Sequence, residues 1–199
     1  MKVYMKMIGC RLNQSEIDTM ARQFEQLGHE IVEDASQADH FVLNTCAVTN
    51  EATKTSRKLI REFNRVNPAG ETTVTGCYAQ ISPTDIEVLP GVKRVIGNQD
   101  KESLVSQLTG EKVEIYDSEP IERDRIPGTL GRTRAFVKVQ DGCNNSCTFC
   151  VTTVARGDGQ SRTIEEVVKE VRYLHGMGYQ EAVLTGVHLG SFGYDLGDH

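Results

Sequence analysis

The sequence predicts an α/β protein in which an N-terminal parallel-sheet domain precedes the start of a parallel (β/α) barrel. Residues 1–116 alternate short apolar runs with helical patterns, as the strands and covering helices of a parallel sheet do. Residues 117–134 carry two prolines, two glycines and eight charges without an apolar period, which indicates a linker. Residues 135–199 resume with a strand, a cysteine-rich loop and a helix.

The first half of the N-terminal domain contains two predicted strands and two predicted helices. Apolar runs at 3–8 and 40–43 predict the strands. Between them, residues 13–27 place apolar side chains at helical spacing, and Gly28 ends that helix. Residues 51–66 show the same spacing and predict the second helix.

The second half of this domain contains shorter elements. Strands are predicted at 72–75 and Val92–Ile96. Ser82 followed by Pro83 is typical of a helix cap and the first helical position. A further helix at 99–108 ends near Gly110. Strands that alternate with helices in this way form a parallel sheet covered on both faces.

The second region is too short to close a barrel. A strand is predicted at 135–139 and another at 182–184, and Thr163 with Glu166 forms a capping box for the helix between them. That helix runs to about residue 175. A complete parallel barrel needs about eight strands, so we expect a fragment of a longer protein.

The composition, the N-terminus and the net charge limit the classes of protein to which this chain can belong. The 199 residues are 38% hydrophobic and 25% charged, as in ordinary soluble domains, and no apolar run approaches the ~20 residues of a membrane span. The N-terminus lacks the layout of a signal peptide, so we expect a cytoplasmic protein without a membrane partner. Structural disulfides are uncommon in the cytoplasm, so six cysteines in such a protein indicate metal or redox chemistry more than disulfides. The net charge of -6 argues against strong non-specific binding of nucleic acid.

Three cysteines, Cys143, Cys147 and Cys150, follow the strand at 135–139 with the spacing C-x3-C-x2-C. A structural zinc site has four ligands, usually in two separate pairs, and a bacterial ferredoxin cluster uses four cysteines at another spacing. Three thiolates on a four-iron cluster leave one iron open to a small molecule. The pattern favours such an open cluster, with a zinc or two-thiol structural site as the alternative.

The other three cysteines, Cys10, Cys46 and Cys77, each come directly after a predicted strand. The carboxyl ends of parallel strands share one edge of the sheet, where open α/β sheets bind ligands. We therefore expect these thiols to meet in space although they are far apart in sequence. The alternative is three separate buried cysteines, since burial is common for free thiols.

The loop CNNSCTFC resembles the radical S-adenosylmethionine signature, with Phe149 directly before its last cysteine. The resemblance implies a 4Fe-4S cluster on these three cysteines, whose open iron binds S-adenosylmethionine. In that superfamily, reduction of the cluster by an external electron donor cleaves the cofactor and yields a 5′-deoxyadenosyl radical. The resemblance also places Thr185, Gly186 and Val187 beside the bound S-adenosylmethionine, and it assigns no catalytic residue beyond the cluster ligands.

The strings NTCAVTN, TGCYAQ and DGCNNSCTFC together resemble the methylthiotransferases, over nearly the whole chain. The family implies a second, auxiliary 4Fe-4S cluster on Cys10, Cys46 and Cys77. The strings IGNQD and LTGVHLGSFG look most like members that act at C2 of threonylcarbamoyladenosine, next to the anticodon of tRNA. Other members act on isopentenyladenosine in tRNA or on an aspartate of a ribosomal protein.

The resemblance further implies that contacts with tRNA are made largely by parts absent from these residues. We therefore expect this chain alone to be inactive. Two hypotheses from other classes remain. An iron–sulfur electron carrier would normally close each cluster with four protein ligands, and two sets of three cysteines argue against it. The other hypothesis is a truncated, inactive binding fragment, which leaves the function of the parent protein unchanged.

Other charged side chains allow more than one interpretation. The helix at 51–66 carries cations on one face, either to contact RNA phosphates or as a solvated surface. These cations are Lys54, Arg57, Lys58, Arg61 and Arg65. Arg156 and Arg162, which follow the cysteine loop, either hold a carboxylate or phosphate or pair with nearby acids. His175 and His188 have no partner spacing and indicate structural roles.

Overall fold

The computed structural model describes residues 1–112 and 134–197. The strands of the first part are β1 (Lys2–Met7), β2 (Glu30–Val32), β3 (His40–Thr45), β4 (Glu71–Gly76) and β5 (Val92–Ile96). Its helices are α1 (Arg11–Gln26), α2 (Asn50–Val66), α3 (Cys77–Ile81), α4 (Pro83–Glu87) and α5 (Leu104–Thr109). Strands and helices alternate along the chain, as the sequence pattern predicts.

The five strands form one parallel sheet in the order β2-β1-β3-β4-β5. The chain first adds β2 on one side of β1 and then returns to add β3 on the other side. The order therefore reverses between β1 and β3. In open α/β sheets, the crevice beyond the carboxyl ends of the strands at such a reversal is where ligands bind.

Helices cover both faces of this sheet, as the sequence predicts. On one face, α1 and α5 bury Phe24 and Leu104 against Val42 of β3. On the other face, α2 buries Ile60 and Phe63 against Phe41 and Leu43, which flank Val42 on β3. Successive residues of a strand point to opposite faces, so β3 supplies both cores. Each large apolar side chain buried in this way stabilises the fold by about 1.5–3 kcal/mol.

The second part is built around a parallel pair of strands. Its elements are β6 (Arg134–Lys138), β7 (Gln140–Asp141), α6 (Thr152–Arg156), β8 (Gln160–Ser161), α7 (Ile164–Gly176) and β9 (Glu181–Thr185). Strands β6 and β9 pair in parallel, and β7 and β8 pair in antiparallel fashion. Helix α7 begins at the predicted capping box of Thr163 and Glu166 and packs Leu174 against Val137.

Three details differ from the sequence expectations. Strand β2 and the helices α3 and α6 were not predicted, because elements of three to five residues are too short to show a period. The segment predicted as a helix at 99–108 begins as a tight 3-10 turn at Lys101–Ser103 before α5. Ser82 precedes Pro83 and α4 as predicted, but its side chain makes no capping hydrogen bond.

The linker predicted at 117–134 lies outside the described residues, except for Arg134 at the start of β6. Within the ranges 1–112 and 134–197, the helices are too short or too polar to cross a membrane.

Candidate metal centres

The three N-terminal cysteines lie at the carboxyl ends of three adjacent strands, as predicted. Cys10 follows β1 and is the N-cap of α1, Cys46 comes directly after β3, and Cys77 follows β4 as the first residue of α3. Cys10 is exposed, Cys46 is half-buried and Cys77 is buried. Two of these strands, β1 and β3, flank the point where the strand order reverses.

Close backbone packing brings these three strand ends together. Gly9 has a φ of +121°, and a Cβ at this position would lie 2.9 Å from the Cβ of Cys46. The turn after β1 therefore packs directly against Cys46, which leaves room only for glycine. Burial raises the pKa of Cys46, and the nearby sulfurs of Cys77 and Cys10 raise it further. The three thiols are thus electrostatic neighbours.

Three neighbouring thiols are a soft donor set, which suits an iron–sulfur cluster. Among the described residues, however, no group of three or more Cys, His, Asp or Glu side chains is arranged so that it could hold a metal ion. The donor atoms and the position of the three thiols at one sheet edge nevertheless fit the implied cluster.

The second cysteine set lies in a loop whose ends are held together. The backbone N–H of Cys143 donates to the carbonyl of Gly157 (3.0 Å), and that of Cys150 donates to the carbonyl of Cys147 (3.1 Å). Hydrogen bonds from the side chain and backbone of Thr152 lower the pKa of Cys150. These bonds favour its thiolate, which is the metal-binding form.

The ring of Phe149, just before Cys150, is 91% exposed. Cys147 and Cys150 are exposed, and Cys143 is half-buried. The apolar ring therefore stands in solvent beside the two exposed thiols. An exposed aromatic ring at this position is available to cover a bound ligand.

The loop after β9 lies beside the start of this cysteine loop. Thr185 pairs in register with Lys138 at the end of β6, and its carbonyl accepts from the N–H of Val139 (2.9 Å). The hydroxyl of Thr185 donates to the carbonyl of Val137 (3.2 Å). The predicted residues Thr185, Gly186 and Val187 therefore share one sheet edge with the cysteine loop.

Gln140 connects the two loops, and sequence reasoning missed it. Its side chain is 1% exposed. Its amide group donates to the carbonyls of Asp141 (2.7 Å) and Gly142 (2.8 Å), and its Oε1 accepts from the N–H of His188 (2.8 Å). A Cβ on Gly186 would lie 3.0 Å from that same oxygen. The only sequence signal is a polar residue directly after an apolar strand.

A buried group of charges lies between the two cysteine sets. Arg156 Nη1 contacts Glu16 (3.0 Å) and Asp141 (2.8 Å), and Lys101 Nζ contacts Glu16 (2.7 Å). The side chains of Glu16, Lys101 and Arg156 are 3–4% exposed. Burial alone would raise the pKa of Glu16, but the cations Lys101, Arg156 and Lys138 together hold it well below its usual range. Glu16 is therefore ionised.

The two arginines that follow the cysteine loop pair with acids, which was one of the two predicted alternatives. Arg156 binds Glu16 and Asp141, and Arg162 binds the buried carboxylate of Glu170. Glu16 and Lys101 were not predicted as part of any site. Their partners lie far away in sequence, so one sequence carries no signal for these pairs.

Two family models match different parts of the chain. Residues 2–97 match the model described as uncharacterized protein family UPF0004, and residues 137–190 match the model of the radical SAM superfamily. The first match contains Cys10, Cys46 and Cys77, and the second contains the C-x3-C-x2-C loop.

Curated relatives extend the similarity over almost all of the chain. A protein of Bacillus subtilis named threonylcarbamoyladenosine tRNA methylthiotransferase MtaB is 42% identical over 96% of this chain and 45% of its own length. Its namesake in Aquifex aeolicus is 38% identical over 99% of this chain and 50% of its own length. A Fervidobacterium nodosum protein named ribosomal protein uS12 methylthiotransferase RimO is 32% identical over 98% of this chain and 46% of its own length.

The chain therefore belongs to the radical S-adenosylmethionine methylthiotransferases, a family of enzymes, as the sequence predicts. Within this family, the two proteins named MtaB share more identical residues with the chain than the protein named RimO does. The chain spans about half the length of these relatives. Membership of the family implies S-adenosylmethionine and iron–sulfur chemistry.

Proposed function

We propose that the protein containing this chain attaches a methylthio group to C2 of N6-threonylcarbamoyladenosine, beside the anticodon of tRNA. The observation that carries this proposal is the similarity to proteins named for that reaction, at 42% and 38% identity over nearly the whole chain. The relative named for ribosomal protein uS12, at 32% identity, supports a ribosomal-protein aspartate as the second candidate. Isopentenyladenosine in tRNA is the remaining alternative.

The proposed domains follow the two cysteine sets. Residues 1–116 form the domain of an auxiliary 4Fe-4S cluster, residues 117–134 form a linker, and residues 135–199 begin the radical S-adenosylmethionine domain. Cys10, Cys46 and Cys77 would hold the auxiliary cluster, because they meet at one sheet edge.

Cys143, Cys147 and Cys150 would hold the second 4Fe-4S cluster. With S-adenosylmethionine bound, this cluster supplies the radical chemistry that an inert aromatic C–H bond requires. The chain's own contribution is to hold the three thiols in one loop, which the Cys143–Gly157 hydrogen bond closes.

Residues beside this loop would bind and orient S-adenosylmethionine. Thr185, Gly186 and Val187 lie at the neighbouring strand end, and Gln140 fixes the spacing between the two loops. Phe149 would cover the cofactor and exclude water with its exposed ring. The remaining partners in this proposal are tRNA and an external electron donor, and a cytoplasmic location suits both.

The substrate is tested by deleting the gene that encodes the protein and analysing tRNA nucleosides by mass spectrometry. We expect 2-methylthio-N6-threonylcarbamoyladenosine to disappear and N6-threonylcarbamoyladenosine to accumulate. Loss of methylthio-isopentenyladenosine, or of a methylthio group on ribosomal protein uS12, would instead identify one of the other candidates.

The assignment of the ligands is tested by two triple variants of the chain. One variant replaces Cys10, Cys46 and Cys77 by serine, and the other replaces Cys143, Cys147 and Cys150. After anaerobic reconstitution, each variant should bind about half the iron and sulfide of the unmodified chain. An unchanged iron content in either variant would contradict the assignment of that site.

A further inference from the structure

Two asparagines connect the N-terminal cysteines to the helix that follows the second cysteine loop. Asn13 Oδ1 accepts hydrogen bonds from Cys10 Sγ (3.6 Å) and from Arg156 Nη2 (2.7 Å). Asn98 Nδ2 donates to Cys77 Sγ (3.7 Å) and to the carbonyl of Ala155 (2.5 Å). Two adjacent residues of α6 thus reach the hydrogen-bond partners of two N-terminal cysteines.

The orientation of Asn13 is fixed by its other bonds. Its Nδ2 donates to the carbonyls of Ile8 (2.8 Å) and Thr45 (3.1 Å), at the ends of β1 and β3. Both amide hydrogens are therefore used, and the atom that faces Arg156 must be the oxygen. Because Arg156 is always a donor, it holds this oxygen in place beside Cys10.

Arg156 also brings a permanent positive charge to the N-terminal site. Its side chain is 3% exposed, so water screens this charge little. The guanidinium approaches the site through Asn13, whose Oδ1 accepts both from Arg156 Nη2 (2.7 Å) and from Cys10 Sγ (3.6 Å). Glu16 and Asp141 hold the guanidinium and carry the opposing charge.

We propose that Arg156 is a positioning residue of the N-terminal cysteine site, although the radical S-adenosylmethionine region carries it. It holds Asn13 against Cys10 and places a buried positive charge beside the three thiols. A cluster bound by three thiolates becomes more negative on reduction, and nearby charge and hydrogen bonds to sulfur set its reduction potential. Arg156 therefore favours the reduced form. This inference rests on the proposed function only in that these thiols bind an iron–sulfur cluster.

The test is a redox titration of the N-terminal cluster, followed by electron paramagnetic resonance. The chain also carries Cys143→Ser, Cys147→Ser and Cys150→Ser, so that a single cluster contributes to the signal. We expect Arg156→Gln to shift the midpoint potential to a more negative value and Arg156→Lys to restore part of the shift.

Two further variants separate charge from fold. Glu16→Gln removes the opposing charge, so we expect its shift to have the opposite sign, which a purely structural role would not produce. Arg162→Gln is the matched control, because Arg162 lies in the same region but pairs with Glu170 on α7. We expect its midpoint potential to equal that of the parent chain.

The possible outcomes distinguish this inference from the proposed function. If the parent chain loads no N-terminal cluster, both the proposed ligands and the inference are wrong. If the cluster loads, and Arg156→Gln and Glu16→Gln shift the potential in the same direction or not at all, only the inference is overturned. If Arg156→Gln fails to fold by circular dichroism, Glu16→Gln decides instead. An unchanged potential, or a shift to a more negative value, in Glu16→Gln would then overturn the inference.

Discussion

His40 is a buried titratable residue at the start of β3. Its side chain is 6% exposed, and its Nε2 lies 2.9 Å from the hydroxyl of Thr73 on β4. Burial lowers the pKa of His40 below 6.5, and Glu71 opposes this shift only in part. The unfolded chain therefore takes up a proton at a higher pH than the folded chain does. Its contribution to stability is present above about pH 6.5 and decreases as the pH falls below that value.

We predict that His40→Gln weakens the dependence of stability on pH below about pH 6.5. The free energy of unfolding of the wild-type chain should fall between pH 7 and pH 5, because acid favours the protonated, unfolded form. In the variant the fall should be smaller. Urea denaturation at several pH values measures both slopes, and equal slopes would contradict this account of His40.

Helix α2 presents one apolar face and one basic face. The hydroxyl of Thr49 caps its first turn by accepting from the N–H of Ala52 (3.1 Å). Ile60 and Phe63 are buried on the sheet side. The outward cations Lys54, Lys58, Arg61 and Arg65 are exposed. Arg57, beside them, instead binds Tyr78 and Asp85. The amphipathic pattern is confirmed, and the choice between an RNA contact and a solvated face stays a prediction.

We predict that Lys58→Gln combined with Arg61→Gln weakens binding of tRNA to the chain. If both side chains contact phosphates, the slope of the binding constant against salt concentration should decrease by about two. Filter binding at several salt concentrations measures this slope. Lys93→Gln, at an exposed position on β5, is the control and should keep the wild-type slope. An unchanged slope in the double variant would identify a solvated face.

At the scale of the whole molecule, α1 joins the N-terminal sheet to the second region through polar contacts. The hydroxyl of Ser15 accepts from the backbone N–H of Lys138 on β6 (3.0 Å). About two turns further along α1, Arg22 lies 3.8 Å from Glu170 of α7, and both side chains are at most 3% exposed. The helix thus buries charge on the face turned to the second region and apolar side chains on the face turned to the sheet.

We predict that Glu170→Leu destabilises the chain by about 3–5 kcal/mol, because it removes the buried carboxylate that both Arg22 and Arg162 contact. Adding Arg22→Met should recover part of the loss, since an apolar pair of similar volume replaces one of the two ion pairs. Urea denaturation of the two single variants and the double variant measures the coupling. Additive effects of the two changes would contradict it.

The matched control is the ion pair of Arg134 on β6 and Glu181 on β9, which also joins two different elements (3.0 Å). Both of its side chains are about half exposed. Glu181→Gln should therefore change the free energy of unfolding by no more than about 1 kcal/mol. A larger loss of stability in Glu181→Gln would show that the exposure of an ion pair does not determine how much it stabilises the chain.

Sequence reasoning predicted the features that depend on local order. Examples are the alternation of strands and helices around β3, the capping box at Thr163, and the positions of Cys10, Cys46 and Cys77 at strand ends. It could not predict the charges between the two cysteine sets. Arg156 and Glu16 lie 140 residues apart, and which cation meets which acid depends on how α1 packs against the second region. Short elements such as α6 also escape, because five residues show no period.

The two cysteine sets differ in how their formation depends on folding. Cys143, Cys147 and Cys150 are neighbours along the chain, so closing that loop costs little conformational entropy even before the protein folds. Cys10, Cys46 and Cys77 come from three different strands and meet only after β1, β3 and β4 have paired. Their contact order is therefore high. A ligand that needs all three thiols binds only the folded sheet, and its binding free energy adds to the stability of that sheet.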